Sequence, residues 1–146
     1  MYTDCDGNDI TDRITSGADL TRGKLTGAFL FGANLTDANL TDADLSGANL
    51  TNANLGAANL HGADLHGADL SGANLTNANL AGANLTNANL TYANLTYARL
   101  AGANLRRANL RRANLTDANL TRVTGWSAVY FQLTIIGLDT ARGVPD

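Results

Sequence analysis

The feature that most limits how this chain can fold is a period of five. Leu stands at every fifth position from Leu20 to Leu120. Ala stands two residues before almost every one of them, usually with Asn or Asp between, as in Ala48-Asn49-Leu50-Thr51-Asn52-Ala53-Asn54-Leu55. A helix cannot use this pattern: at about 100° per residue each Leu is turned about 140° from the last, and the apolar residues spread over every face. A flat strand cannot use it either. Side chains alternate with period two, so an odd repeat sends successive Leu to opposite faces. Within one unit, however, Ala-x-Leu is a short in–out–in alternation. The other two residues must then turn the chain so that the next Ala points inward. They are mostly Thr, Gly, Asn, Asp and Ser, residues that favour turns. The chain is therefore expected to coil, with sides five residues long and coils stacked about 4.8 Å apart. Leu then lies on Leu and Ala on Ala. The period alone leaves the number of sides open.

Runs such as Ala73-Asn74-Leu75-Thr76-Asn77 resemble the pentapeptide-repeat family, whose repeat is Ala-(Asp/Asn)-Leu-x-x. The resemblance covers about 21 consecutive units, from Ser16 to Leu120. It implies an all-β fold, a right-handed quadrilateral β-helix with four pentapeptides and so twenty residues per coil. About seven coils then make a rod of roughly 35 Å. The resemblance further implies a binding or scaffold role. For some members it implies mimicry of duplex DNA and binding to DNA gyrase, which protects the enzyme from quinolones or toxins. Some members also dimerise through their C-terminal ends.

Composition narrows the setting. The 146 residues suit one domain with a modest core. A net charge of −3 is too mild to imply a nucleic-acid binder. The single cysteine, Cys5, excludes an intrachain disulfide framework and fits a reducing compartment. Met1 to Asp6 lacks the basic and apolar regions of a signal peptide. No stretch approaches the roughly 18 apolar residues that span a bilayer. A cytoplasmic protein without membrane contact is expected.

The ends depart from the repeat. Asp4-Cys5-Asp6-Gly7-Asn8-Asp9 looks at first like a calcium loop. Asp9 stands where the turn Gly is needed, however, and no Glu closes the loop. Counting back in fives places Thr15, Ile10 and Cys5 at the Leu position, so residues 1–15 are expected to form a degenerate first coil, or N-terminal cap, in the same register. Residues 16–120 form the regular array. Phe29 and Phe31 are expected to pack under the N-terminal segment. Counting on in fives carries the register through residues 121–140, an irregular last coil or C-terminal cap, with 141–146 as a tail. Trp126, Tyr130, Phe131 and Ile135 are large and β-favouring. They are expected to cap the open end, which repeat arrays require, or to serve as a dimer contact as well.

Function has to be sought on the outward positions. Residues 1–70 hold ten Asp against Arg13, Arg22 and Lys24, net −7, while residues 71–146 hold seven Arg against three Asp, net +4. Within the basic half, Arg106 and Arg107 fall at one corner and Arg111 and Arg112 at the next. Tyr92 lies twenty residues before Arg112, directly above it in a four-sided coil, and Tyr97 lies above Asp117. These six residues, Tyr92, Tyr97, Arg106, Arg107, Arg111 and Arg112, form the candidate partner surface, since Arg and Tyr are favoured at interfaces. The alternative is a solvated corner. His61 and His66, with Asp64 and Asp69 nearby, contain the elements of a metal site, but their positions on adjacent sides diverge, and surface polarity explains them better. No nucleophile–base arrangement is present. The expectation is a non-catalytic binding or scaffold protein without cofactor or metal, whose partner is another protein rather than nucleic acid. One alternative is the gyrase-binding DNA mimic, for which the acidic half, with Asp37, Asp42, Asp44, Asp64 and Asp69, speaks and the Arg-rich half does not. The other is a repeat module of a larger protein.

Overall fold

A computed structural model describes residues 1–126 and 136–144. Its organising contact is a parallel bridge between residues twenty apart. One row runs Asp19–Asn39–Asn59–Asn79–Arg99–Asn119, and a second runs Lys24–Asp44–Asp64–Asn84–Asn104–Thr124. The third is Phe29–Asn49–Asp69–Asn89–Asn109, and the fourth Asn34–Asn54–Asn74–Asn94–Asn114. Four rows five residues apart make four sides, so one coil takes four units.

A typical unit accounts for all five of its backbone N–H groups, as a buried or half-buried backbone must. The unit 71–75 serves as the example. The Gly72 N–H donates to Thr91 O, that of Asn74 to Ala53 O and that of Leu75 to Asn94 O, at 2.9, 2.9 and 2.7 Å. The Ala73 N–H closes the corner on Leu70 O at 3.0 Å. The fifth, from Ser71, is taken by the Asp69 carboxylate at 2.9 Å. The Asn or Asp that precedes most of the Leu therefore completes the backbone. Its Oδ1 accepts the N–H two residues on, and often the Thr or Ser hydroxyl as well. Some of these side chains also ladder from coil to coil, as where the Asn74 amide donates to Asn54 at 3.0 Å.

The inward positions behave as the alternation requires. From Ala28 to Leu120 every Ala and Leu of the repeat is buried, with exposures of 0 or 1 %. At the corners, the second turn residue has positive φ in every unit from Gly17 to Arg122. Gly adopts that region freely and Asn or Asp with modest strain, which explains their prevalence there.

Both ends differ from the count in fives. At the N-terminus, Ile10 is buried as expected, but Cys5 and Thr15 are exposed, and Ile14 fills the core instead. Residues 1–15 are not a coil in the same register. Thr3 bridges antiparallel to both Asp9 and Phe29, and a short 3-10 helix, Thr11–Arg13, follows. The chain reverses at Asp4, whose carboxylate accepts the N–H of Asp6 and of Asn8 at 3.0 and 2.8 Å and the Asn8 amide at 2.8 Å. That carboxylate closes a turn, and its pKa is lowered chiefly by the Asn8 side chain. Phe29 and Phe31 are not covered by this segment and remain 59 and 61 % exposed; Thr3 pairs with the Phe29 backbone, which leaves its ring outward.

At the C-terminus the stacking continues but the count slips. Fives would put Thr134 opposite Asn114 and Asp139 opposite Asn119; the bridges instead join Asn114 to Ile136 and Asn119 to Arg142. Two residues are added before Ile136 and one more before Arg142. Trp126, Leu138 and Ala141 pack on the core end as a cap. Tyr130, Phe131 and Ile135, expected in the same cap or dimer contact, lie outside the described residues. Among the described residues no helix is long and apolar enough to cross a membrane.

Candidate interaction surface

The corner geometry that builds the rod also sets out its largest outward side chains. Tyr92 and Arg112 follow the same corner one coil apart, as the twenty-residue count requires. The Arg112 guanidinium carbon lies 5.3 Å from the Tyr92 ring centroid, and its Nη1 donates to the Tyr92 hydroxyl at 2.6 Å. The stacked pair anticipated from sequence is thus formed. Such a contact stabilises by about 0.5–1 kcal/mol at an exposed site. Tyr97 occupies the next corner of the same coil and is 56 % exposed, against 58 % for Tyr92. Arg106, Arg107, Arg111 and Arg112 are all exposed. Arg106 and Arg111 donate their backbone N–H groups to Asn104 and Asn109, so their backbone is fixed by the coil while their guanidinium groups project from it.

These positions are not conformationally neutral. Tyr92, Tyr97, Arg107 and Arg112 have φ of 60, 59, 58 and 57°. A side chain other than Gly, Asn or Asp in this region costs of the order of 1 kcal/mol. The cluster therefore sits where the fold alone would favour Gly or Asn.

The acidic half is organised differently. Asp44 accepts the Ser46 hydroxyl and N–H and the Thr26 hydroxyl, and in that order these hold its pKa below the usual carboxylate value. Asp64 accepts from the His66 N–H and the Asn84 amide, and Asp69 from Ser71 and the Asn89 amide. These carboxylates act first as closing groups of the coil. Asp37 and Asp42 stand at left-handed corners, φ 58 and 56°. His61 and His66 are exposed. Among the described residues no group of three His, Cys, Asp or Glu side chains is placed to hold a metal ion.

Sorting the outward positions by twenties brings out a feature that chain order hides. Phe29 begins the row that ends at Asn109. Phe31 stands on the same corner column as Arg111. Phe29 and Phe31 thus share one side of the rod with the four Arg, the rings at one end and the guanidinium groups at the other.

A stack of four-sided coils closed by Asn and Asp side chains, with a uniform Leu and Ala interior, defines a repeat solenoid whose variation lies on its surface. The sequence pattern described as Pentapeptide repeats matches residues 16–52, 38–77, 53–91, 68–106 and 88–124. The chain belongs to the pentapeptide-repeat family, whose members imply a right-handed quadrilateral β-helix for the coil described above. Among solved structures, it is similar to a pentapeptide repeat protein of the Arabidopsis thaliana thylakoid lumen, at 32 % identity and a TM-score of 0.65 over 76 % of this chain and 80 % of that one. It is also similar to Rfr23 of the cyanobacterium Cyanothece 51142, at 41 % identity and a TM-score of 0.54 over 63 % of this chain and 59 % of that one. QnrB1, a plasmid-mediated fluoroquinolone resistance protein, matches at 20 % identity and a TM-score of 0.46 over 84 % of this chain and 79 % of that one. No curated protein sequence matches the chain significantly.

Proposed function

We propose that the chain is a non-catalytic binding or scaffold protein of the cytoplasm, a rod of about seven coils and roughly 35 Å that offers the corners around Tyr92, Tyr97, Arg106, Arg107, Arg111 and Arg112 to another protein. One observation carries this reading. Six large, exposed Tyr and Arg side chains gather at neighbouring corners, and four of them, Tyr92, Tyr97, Arg107 and Arg112, stand at left-handed positions that elsewhere hold mostly Gly, Asn or Asp. Arg and Tyr are also the residues that dominate binding energy at protein interfaces. The test is affinity capture from the native host with the wild type and with a variant in which the four Arg are changed to Glu. A partner that depends on the cluster is lost from the variant. The same set of proteins on both would reduce the cluster to a solvated corner.

The gyrase-binding alternative rests on negative charge, which the carboxylates keep while they close the coil. Asp44, Asp64 and Asp69 use their Oδ1 atoms to close the coil, and the Arg-rich half would repel a cationic DNA groove. Gyrase supercoiling unaffected by a micromolar excess of the protein is the expected result, and inhibition would reinstate the mimic.

A further inference from the structure

We propose that the side of the rod carrying the row Phe29–Asn49–Asp69–Asn89–Asn109 is self-complementary, and that a second copy of this chain docks on it antiparallel. The proposal goes beyond the binding role, since it gives Tyr92 and the four Arg of the cluster a second copy of this chain as a neighbour.

This side displays unlike groups at its two ends. It is bounded by two corner columns. One passes through Thr26, Ser46, His66, Thr86 and Arg106, the other through Phe31, Thr51, Ser71, Thr91 and Arg111. Its N-terminal end presents Phe29 and Phe31, 59 and 61 % exposed. Its C-terminal end presents all four Arg of the cluster together with Tyr92. Between the two ends the corner residues are small or short: Gly47, Gly67 and Gly72 beside Ser46, Thr51 and Ser71. His66, exposed on the first column, is the one larger side chain of the middle; it lies at the level of Asp69 and meets its own copy there, while its neighbours leave room around it.

A two-fold axis across the rod, in the plane of contact, lays each column on itself in reverse. With the axis at the level of Asp69, four bridge steps, about 19 Å, separate the aromatic end from the cationic end. Phe31 of one copy then faces Arg111 and Arg112 of the other, Thr51 faces Thr91, and Ser71 faces Ser71. Both ends are satisfied at once, because the operation is isologous and each contact occurs twice. Guanidinium groups stack on aromatic faces, as Arg112 already does on Tyr92 within one chain. Asp69 meets its own copy at the axis, where its Oδ1 is engaged by Ser71 and Asn89. Longer-range charge favours the same orientation. The halves carry −7 and +4, so antiparallel rods set unlike halves side by side, while parallel rods oppose like with like. One side of a short rod buries little surface, at or below the low end for specific interfaces, so the dimer is a weak one.

Sedimentation velocity of the full chain over about 5 to 500 µM tests this. The wild type is expected to pass from monomer to dimer in that range, and the Phe29→Ser/Phe31→Ser variant to remain monomeric with an unchanged melting temperature. Orientation is read by crosslinking in a Cys5→Ser background, since Cys5 is exposed. Ser71→Cys is expected to form a disulfide dimer under mild oxidation. Thr91→Cys is expected to form little alone and to crosslink when mixed with Thr51→Cys. A wild type that is monomeric at every concentration, or Thr91→Cys that crosslinks to itself as readily as Ser71→Cys, overturns the proposal. If the wild type stays monomeric while the four-Arg variant still loses a host protein, self-pairing falls and the binding role stands. If dimers form as described while captured host proteins are indifferent to the four Arg, self-pairing stands and the binding role falls.

Discussion

The second residue of each unit decides how much a side chain costs the coil. All of these residues adopt positive φ from Gly17 to Arg122, so Gly, Asn and Asp fit and others are strained. The two Tyr separate strain from compensation. Tyr92 recovers part of its cost through Arg112. Tyr97→Asn is therefore expected to raise stability by about 1 kcal/mol, whereas Tyr92→Asn changes it little; thermal or urea unfolding of the two variants measures both. The residue before Leu makes a second prediction. Asp44 has its pKa lowered by Ser46 and Thr26, so its folded value lies below its unfolded one. That contribution is present above the unfolded value, about 3.9, and is lost as pH falls through it towards the folded value. Asp44→Asn keeps an oxygen acceptor for Ser46 but has no proton to gain. It is expected to melt slightly lower at pH 7 and to lose part of the wild type's decline below about pH 4. An acid limb identical to that of the wild type would contradict the assignment.

At the scale of elements, the fold is legible in the sequence where the period holds and illegible where it does not. The alternation of Ala and Leu places the core, because one burial pattern repeated with one phase leaves a single inward set. The corner position and the Asn column follow from turn chemistry. The ends escape a count in fives because their residues have local solutions of their own. Asp4 turns the chain back on itself, so Thr3 pairs antiparallel with Phe29; an odd-period count contains no signal for that reversal. At the other end the glycines carry the signal. Gly137 has φ +77°, and a Cβ there would lie 2.5 Å from the Thr116 Cα. It marks close contact between the cap and the corner below it. Gly137→Ala is expected to destabilise the C-terminal end by about 2–3 kcal/mol. Trp126 is the single Trp and packs against the core end, so its fluorescence reports the loss by shifting to longer wavelength at temperatures below global unfolding. An unshifted spectrum would mean that the cap does not depend on that approach.

For the whole molecule, fold and message occupy different atoms. Leu, Ala and the Asn column build the rod with backbone and inward groups, and each coil contacts only its neighbours, as in other solenoids. The candidate surface is legible only when residues are sorted by twenties, because Tyr92 and Arg112 are remote in sequence and adjacent across one coil step. Even then the exposure of Phe29 and Phe31 is hidden, since the alternation points Phe29 outward but does not say that the N-terminal segment leaves the rings uncovered. The separation of fold from message is the central claim, and a blank rod tests it most directly. Changing Arg106 and Arg111 to Thr and Tyr92, Tyr97, Arg107 and Arg112 to Asn places the commonest residue at the first corner position and one that tolerates positive φ at the second. The expected variant melts at or above the wild-type temperature yet loses the proteins that the wild type captures from its native host. A variant that melts lower, or that captures the same proteins, would contradict the central claim.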